Sequence, residues 1–124
     1  MKLTVSGLDA FYGQAHILFD VGLEVGAGEV VALLGRNGAG KSTTFRAIVG
    51  LVADRRGRIV FEGRDISRAA THEIARGGLG YVPEDRRIFT ELTVEENLLV
   101  GRQPPRPGAP TWTPEALYAL FPNL

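Results

Sequence analysis

Residues 35–42, Gly35-Arg36-Asn37-Gly38-Ala39-Gly40-Lys41-Ser42, fill every fixed position of the pattern G-x-x-x-x-G-K-[ST]. Five consecutive apolar residues, Val30-Val31-Ala32-Leu33-Leu34, lead into this run, and an amphipathic stretch follows it. A short apolar run between turn residues reads as a strand covered on both faces. The segment is therefore a strand, a glycine-rich loop and a helix, the setting in which backbone amides can wrap a phosphate chain. Gly38 and Gly40 tolerate the close approach and unusual dihedrals such a loop needs. Gly38, Gly40 and the amides of Lys41, Ser42 and Thr43 are the candidate donors, Lys41 a point charge for the outer phosphates, and the Ser42 hydroxyl a ligand for Mg²⁺. The competing reading is a glycine-rich turn with a solvated lysine.

Upstream, Ile17, Phe19, Val21, Leu23 and Val25 are apolar while His16, Asp20 and Glu24 fall on the other face, the alternation of a half-buried strand. Leu3, Val5 and Gly7 suggest its partner. Downstream of the loop, Phe45, Ile48, Val49 and Val52 recur at i, i+3, i+4 and i+7, one stripe of a helix that Gly50 ends. Arg58 to Phe61 reads as a short strand before a turn at Glu62-Gly63-Arg64, Thr71 to Arg76 as a weak helix, and Leu79 to Val82 as a buried strand stopped by Pro83. Thr93 and Glu96 have capping-box spacing ahead of Leu98-Leu99-Val100. Thr113-Pro114-Glu115 supplies a cap, a first-turn proline and a first-turn acid ahead of Leu117, Leu120 and Phe121. Between them, Arg102 to Pro110 carries four of the seven prolines and reads as a loop.

Composition narrows the classes. With no cysteine there is no disulfide framework, thiolate metal site or cysteine nucleophile. Fourteen Lys+Arg balance 14 Asp+Glu, so no nucleic-acid partner is expected, and the small cluster Arg55, Arg56 and Arg58 reads as solvated surface. His72-Glu73 is not half of a zinc helix, because Arg76 stands where H-E-x-x-H needs its second histidine. The chain holds no apolar stretch of membrane-spanning length and its N-terminus has no signal-peptide core, so a cytoplasmic location is expected.

Beyond the loop, GRNGAGKST resembles the Walker A segment of ATP-binding cassette (ABC) subunits. Phe11-Tyr12-Gly13 stands where that family carries the aromatic that stacks on adenine, which implies that role for Tyr12; the alternative is an ordinary strand-end aromatic. YVPEDRRIFTELTVEEN, from Tyr81 to Asn97, is similar to the Q-loop region of the subfamily serving branched-chain amino acid importers, and so is LYALFPNL near the C-terminus. Most cassettes have Gln at the Q-loop position. This chain has Glu84, a better Mg²⁺ ligand than an amide, and Glu is typical of the branched-chain group. The alternative for Glu84 is a surface acid after Pro83.

The resemblance implies an α/β fold: the N-terminal portion of an ABC-type P-loop NTPase core, an incomplete domain with antiparallel β-subdomain strands plus the P-loop strand and helix. Residues 1–101 would hold the β-subdomain, P-loop and Q-loop region, 102–113 a proline-rich loop, and 114–124 the start of the helical subdomain. ATP and Mg²⁺ are the implied cofactors. Nucleotide contacts fall to Tyr12, Asn37, Gly38, Ala39, Gly40, Lys41, Ser42 and Thr43, with metal contacts at Ser42 and Glu84. No LSGGQ-like signature, Walker B Asp, catalytic Glu or switch His can be named, so no catalytic set is complete and the 124-residue chain alone is expected to be hydrolysis-deficient. It is also expected to be poorly stable, since an apolar parallel strand at Val30–Leu34 would lack a neighbour. The implied partners are a second ABC ATPase subunit, two transmembrane permease subunits and a periplasmic or extracellular amino-acid-binding protein, with the ATPase peripheral on the inner face of the cytoplasmic membrane. Two other readings stay open: a non-catalytic remnant that at most binds nucleotide, and another P-loop NTPase such as a nucleotide kinase.

Overall fold

The computed structural model describes residues 2–36, 38, 40–85 and 87–124. They divide into two compact units, Met1–Tyr81 and Val82–Leu124. In the first, strands β1 (Leu3–Tyr12), β2 (Ala15–Val25), β3 (Asp54–Phe61) and β4 (Arg64–Asp65) form one antiparallel sheet in the order β2-β1-β3-β4. Helix α1 (Lys41–Ile48) packs on β1 and β2, and α2 (Thr71–Arg76) follows β4. Leu8, Ile59 and Val52 are fully buried between sheet and helices, each contributing ~1.5–3 kcal/mol by removal from water.

β1 is the central strand, and its pairing with both neighbours is bulged. Between the pairs Val5↔Leu23 and Leu8↔Val21, and again between Ser6↔Arg58 and Asp9↔Arg56, β1 carries the extra residue. Gly7 sits in that bulge at φ 59, and Gly57 opposite it at φ 116 lies so close that a Cβ would stand 2.4 Å from the Gly7 carbonyl oxygen. β2 carries the extra residue twice, between Val21 and Leu18 and between Leu18 and His16. Asp20, at φ 48, marks the first of these. The expected alternation of odd residues consequently holds for Val21, Leu23 and Val25 but inverts before the bulge: Leu18 is 3% exposed and Phe19 is 65% exposed.

One carboxylate fastens the bulged strand. Asp9 Oδ1 accepts from the Asp20 amide at 3.0 Å and from His16 Nε2 at 3.2 Å. The Asp20 amide, then His16 and the more distant Arg56, hold the Asp9 carboxyl below its ordinary value of 3.8 against a smaller desolvation effect.

α1 ends in a Schellman motif, with Gly50 at φ 85, its N–H bonded to the Ala47 carbonyl and that of Leu51 to the Arg46 carbonyl. The buried stripe is Thr44, Ala47 and Ile48, with Val49 and Val52 beyond the helix; Phe45, expected in the stripe, is exposed instead. Arg55 departs from its expected solvated position. It is half-buried, donates at 3.0 Å to each of the Val52 and Ala69 carbonyls, and so ties the turn after α1 to the segment before α2, while Arg56 and Arg58 are exposed.

The expected P-loop strand is corrected. Val30–Leu34 forms no ladder among the described residues, and neither does Leu79–Val82. Val31, Ala32 and Leu33 line an apolar hollow of about 390 Å³ with Phe45, Ile48 and Leu79, while Val30 and Leu34 are 95% and 87% exposed. An apolar run becomes a parallel strand only where hydrogen-bonding neighbours flank it and both faces are covered, and here neither condition is met.

In the second unit, α3 (Val94–Val100) starts at the expected capping box: Glu96 N–H donates to Thr93 Oγ1 at 3.1 Å and Thr93 N–H to Glu96 Oε1 at 3.0 Å. α4 (Pro114–Leu120) starts at Thr113, whose hydroxyl accepts from the Ala116 amide, with Pro114 in the first turn. None of the described residues of this unit is buried.

Acid stability tests the Asp9 link. A depressed carboxyl contributes stability that is complete above its unfolded value and is lost as pH falls through its lower folded value. Chemical denaturation of the wild-type chain should therefore show a steeper loss of stability below about pH 4 than Asp9→Asn, which keeps the lowered carboxyls of Asp65 and Glu96, the variant being the less stable at neutral pH. Parallel pH profiles for the two proteins would contradict the assignment.

Candidate nucleotide site

Two glycines shape the loop that leads into α1. Gly38 (φ 87) and Gly40 (φ 91) both adopt left-handed backbone that other residues rarely hold. Their surroundings differ. A Cβ on Gly40 would stand 2.8 Å from Leu18 Cδ2 and 3.8 Å from the Ile17 carbonyl oxygen, whereas Gly38 has nothing within 4 Å. The end of the loop is thus seated on β2, and among the described residues nothing covers the Gly38 position. Asn37 and Ala39, two expected contact residues, lie outside the described residues.

Gly40 is the N-cap of α1 and has no side chain to fill the capping position, and no acidic residue stands in the first turn. Its carbonyl accepts the Thr44 amide and the Thr44 hydroxyl, both at 2.8 Å, closing the first turn. The amides of Lys41, Ser42 and Thr43 have no acceptor within the helix by geometry, and the helix dipole favours an anion there. Lys41 Nζ reaches back to the Gly35 carbonyl. An ammonium has three donors, so this contact holds the side chain along the loop with donors left for an anion. Ser42 is exposed beside it. These groups match what a polyphosphate needs: open amides, a cation and no acid in the first turn.

Tyr12 ends β1 and is 44% exposed. By strand alternation it shares the face of Leu8 and Ala10, the buried face on which α1 packs. The Tyr12 side chain and α1 are therefore on one side of the sheet. A two-residue turn, with Gly13 at φ 60, closes the hairpin beyond Tyr12.

The remaining expected site residue, Glu84, is exposed in a turn of the second unit, beside Asp85, which pairs with Arg87 at 2.9 Å. Among the described residues no group of three His, Cys, Asp or Glu could hold a metal by itself. The exposed Ser42 hydroxyl is suited to join a Mg²⁺ ion held by bound phosphate oxygens, the usual habit of that ion.

Sequence reasoning missed Asn97. Its side chain accepts the Phe89 amide at 2.9 Å and donates to the carbonyls of Phe89 (3.1 Å), Leu92 (3.3 Å) and Thr93 (2.9 Å), organising the loop ahead of α3. It also missed the pairing of Asp9 with His16. Both depend on loop or bulge geometry that periodicity does not carry.

The model of the ABC transporter family matches residues 18–122. The chain belongs to the ATP-binding domain family of ABC transporters. Among its relatives is the lipopolysaccharide export system ATP-binding protein LptB of Haemophilus influenzae, 47% identical over 97 residues, which are 78% of this chain and 40% of that protein. Another is the high-affinity branched-chain amino acid transport ATP-binding protein BraG of Pseudomonas aeruginosa, 41% identical over 99 residues, 80% of this chain and 42% of that protein. A solved ATP-binding subunit of an ABC transporter superposes with a TM-score of 0.69 at 41% identity, over 81% of this chain and 41% of that one. The ABC ATPase chain thus spans about two-fifths of the length of these curated relatives. An export subunit and an amino-acid transport subunit both match, so the comparisons establish the family and leave the branched-chain type as a proposal.

The seat of Gly40 on β2 is testable. Gly40→Ala should lower the stability of the ABC ATPase chain by about 1–3 kcal/mol through left-handed strain, read by chemical denaturation, and should weaken ATP binding. Unchanged stability would show that the loop end is not held at that backbone angle.

Proposed function

We propose that residues 1–124 form the ATP-binding half-site of an ABC transporter ATPase subunit. The observation that carries the reading is the run of open amides at the start of α1, with Lys41 alongside and no first-turn acid, on the sheet face that Tyr12 shares. In this reading Gly38, Gly40, Lys41, Ser42 and Thr43, with Asn37 and Ala39, cradle the phosphates, Tyr12 stacks on adenine, and Ser42 joins Mg²⁺ at the phosphates. Glu84 takes the Q-loop position and a metal contact. Hydrolysis in this family is positioning plus electrostatics, and it draws on groups beyond those named here.

For the whole subunit we propose a peripheral position at the inner face of the cytoplasmic membrane, with a second ATPase subunit and two permease subunits. No helix among the described residues is long and apolar enough to cross a membrane. For cargo, the segment Tyr81–Asn97 with Glu84 favours branched-chain amino acid import with an external binding protein. The higher identity to LptB favours the alternative, lipopolysaccharide export.

Binding of a fluorescent ATP analogue should fall at least tenfold in Lys41→Ala, as expected from losing a charge-assisted phosphate contact of ~1.5–3 kcal/mol. Equal affinity in the two proteins would remove the phosphate-loop assignment. Cargo is tested by exchange: residues 1–124 should support leucine uptake when they replace the corresponding part of BraG and fail to support growth in LptB. The reverse pattern would favour the export reading.

A further inference from the structure

The outer face of the β1–β2 hairpin carries a stack that no phosphate contact explains. His16 lies against Phe11 on one side, with ring centroids 4.2 Å apart and planes 19° from parallel, and against Phe19 on the other, at 3.8 Å. The Arg56 guanidinium lies over the Phe11 ring, 4.7 Å from its centroid. Asp9 accepts from His16 Nε2 and from the Asp20 amide. The ladder thus runs Arg56, Phe11, His16, Phe19 across β3, β1 and β2.

Its location gives it a task. Phe11 and His16 are directly paired across the hairpin, and the next pair, Tyr12↔Ala15, is the last before the turn. β2 departs from regular pairing twice between Val21 and His16, so the backbone ladder is interrupted just where the hairpin must project its tip. Side-chain pairs are what hold register in such a hairpin. Tyr12 follows Phe11 directly and stands on the opposite face, so a fixed Phe11 backbone fixes the direction in which the Tyr12 side chain leaves the strand. The ladder braces the tip from behind while the Tyr12 face stays free.

We propose that His16 is a positioning residue for the nucleotide base: clamped between Phe11 and Phe19 and tied to Asp9, it holds the hairpin tip in the register that presents Tyr12 to adenine. This rests on the reading of Tyr12 as the base platform. His16 itself touches no ligand in this arrangement. Removing it leaves the phosphate loop intact and loosens only the base-binding edge.

The test compares ATP with inorganic tripolyphosphate, which has the phosphates and no base, binding to the full 124-residue chain. His16→Ala should lose roughly tenfold in ATP affinity, the scale of one lost aromatic stacking arrangement, with tripolyphosphate affinity unchanged. His16→Phe, which keeps the stack and gives up the Asp9 contact, should recover most of the loss. Tyr12→Ala should reproduce the base-selective loss, and Lys41→Ala should weaken both ligands. A His16→Ala protein that loses neither ligand, or both equally, overturns the proposal while a base-selective Tyr12→Ala leaves the platform reading standing. A Tyr12→Ala protein with an unchanged ATP-to-tripolyphosphate ratio removes the platform and the proposal with it. Equal binding in Lys41→Ala would instead mark failure of the phosphate site.

Discussion

The contact that positions the start of α1 is the seat of Gly40 on β2. A helix N-terminus binds anions only if its amides are held where the ligand can meet them, and here the loop reaches the sheet at a residue whose missing side chain lets it lie against Leu18. Leu18 is available for that contact because the β2 bulges turn it inward, into the core, and turn Phe19 out. A regular strand would have done the opposite. The bulges therefore act twice, placing an apolar floor under the loop and placing Phe19 where it completes the stack with His16.

Much of this architecture was legible in the sequence where a local rule applies. The caps at Thr93 and Thr113 lie in four-residue patterns whose hydrogen bonds are satisfied within those residues, and both formed as expected. The glycine loop and the stop of α1 at Gly50 were readable because only glycine holds left-handed backbone cheaply. The inversion at Leu18 and Phe19 was not, since period-2 reading assumes an unbroken pleat and one extra residue exchanges the faces. Arg55 misled for a related reason: composition makes an arginine beside two others look solvated, while the two carbonyls that bind it, Val52 and Ala69, come together only after the chain has turned twice.

The apolar segments Val30–Leu34 and Leu79–Val82 mark a different limit. Their composition encodes a strand that is buried on both faces, but composition cannot supply the neighbours that a parallel ladder requires. What forms among the described residues is the antiparallel sheet, in which β1 pairs both with β2, next to it in sequence, and with the distant β3, Leu3 standing opposite Phe61.

Stability is accordingly uneven along the chain. The first unit has a core in which Leu8, Val52 and Ile59 are sealed from solvent. In the second, α3 and α4 are seven residues each, shorter than a helix that persists in water on its own propensity. Thr93, Glu96 and Asn97 satisfy backbone groups there without burying a side chain. Hydrogen bonds exposed to water contribute little net free energy, so these contacts specify a conformation more than they stabilise it. Opening should therefore cost least in the second unit, where no described residue is buried, and most around Leu8, Val52 and Ile59 in the first.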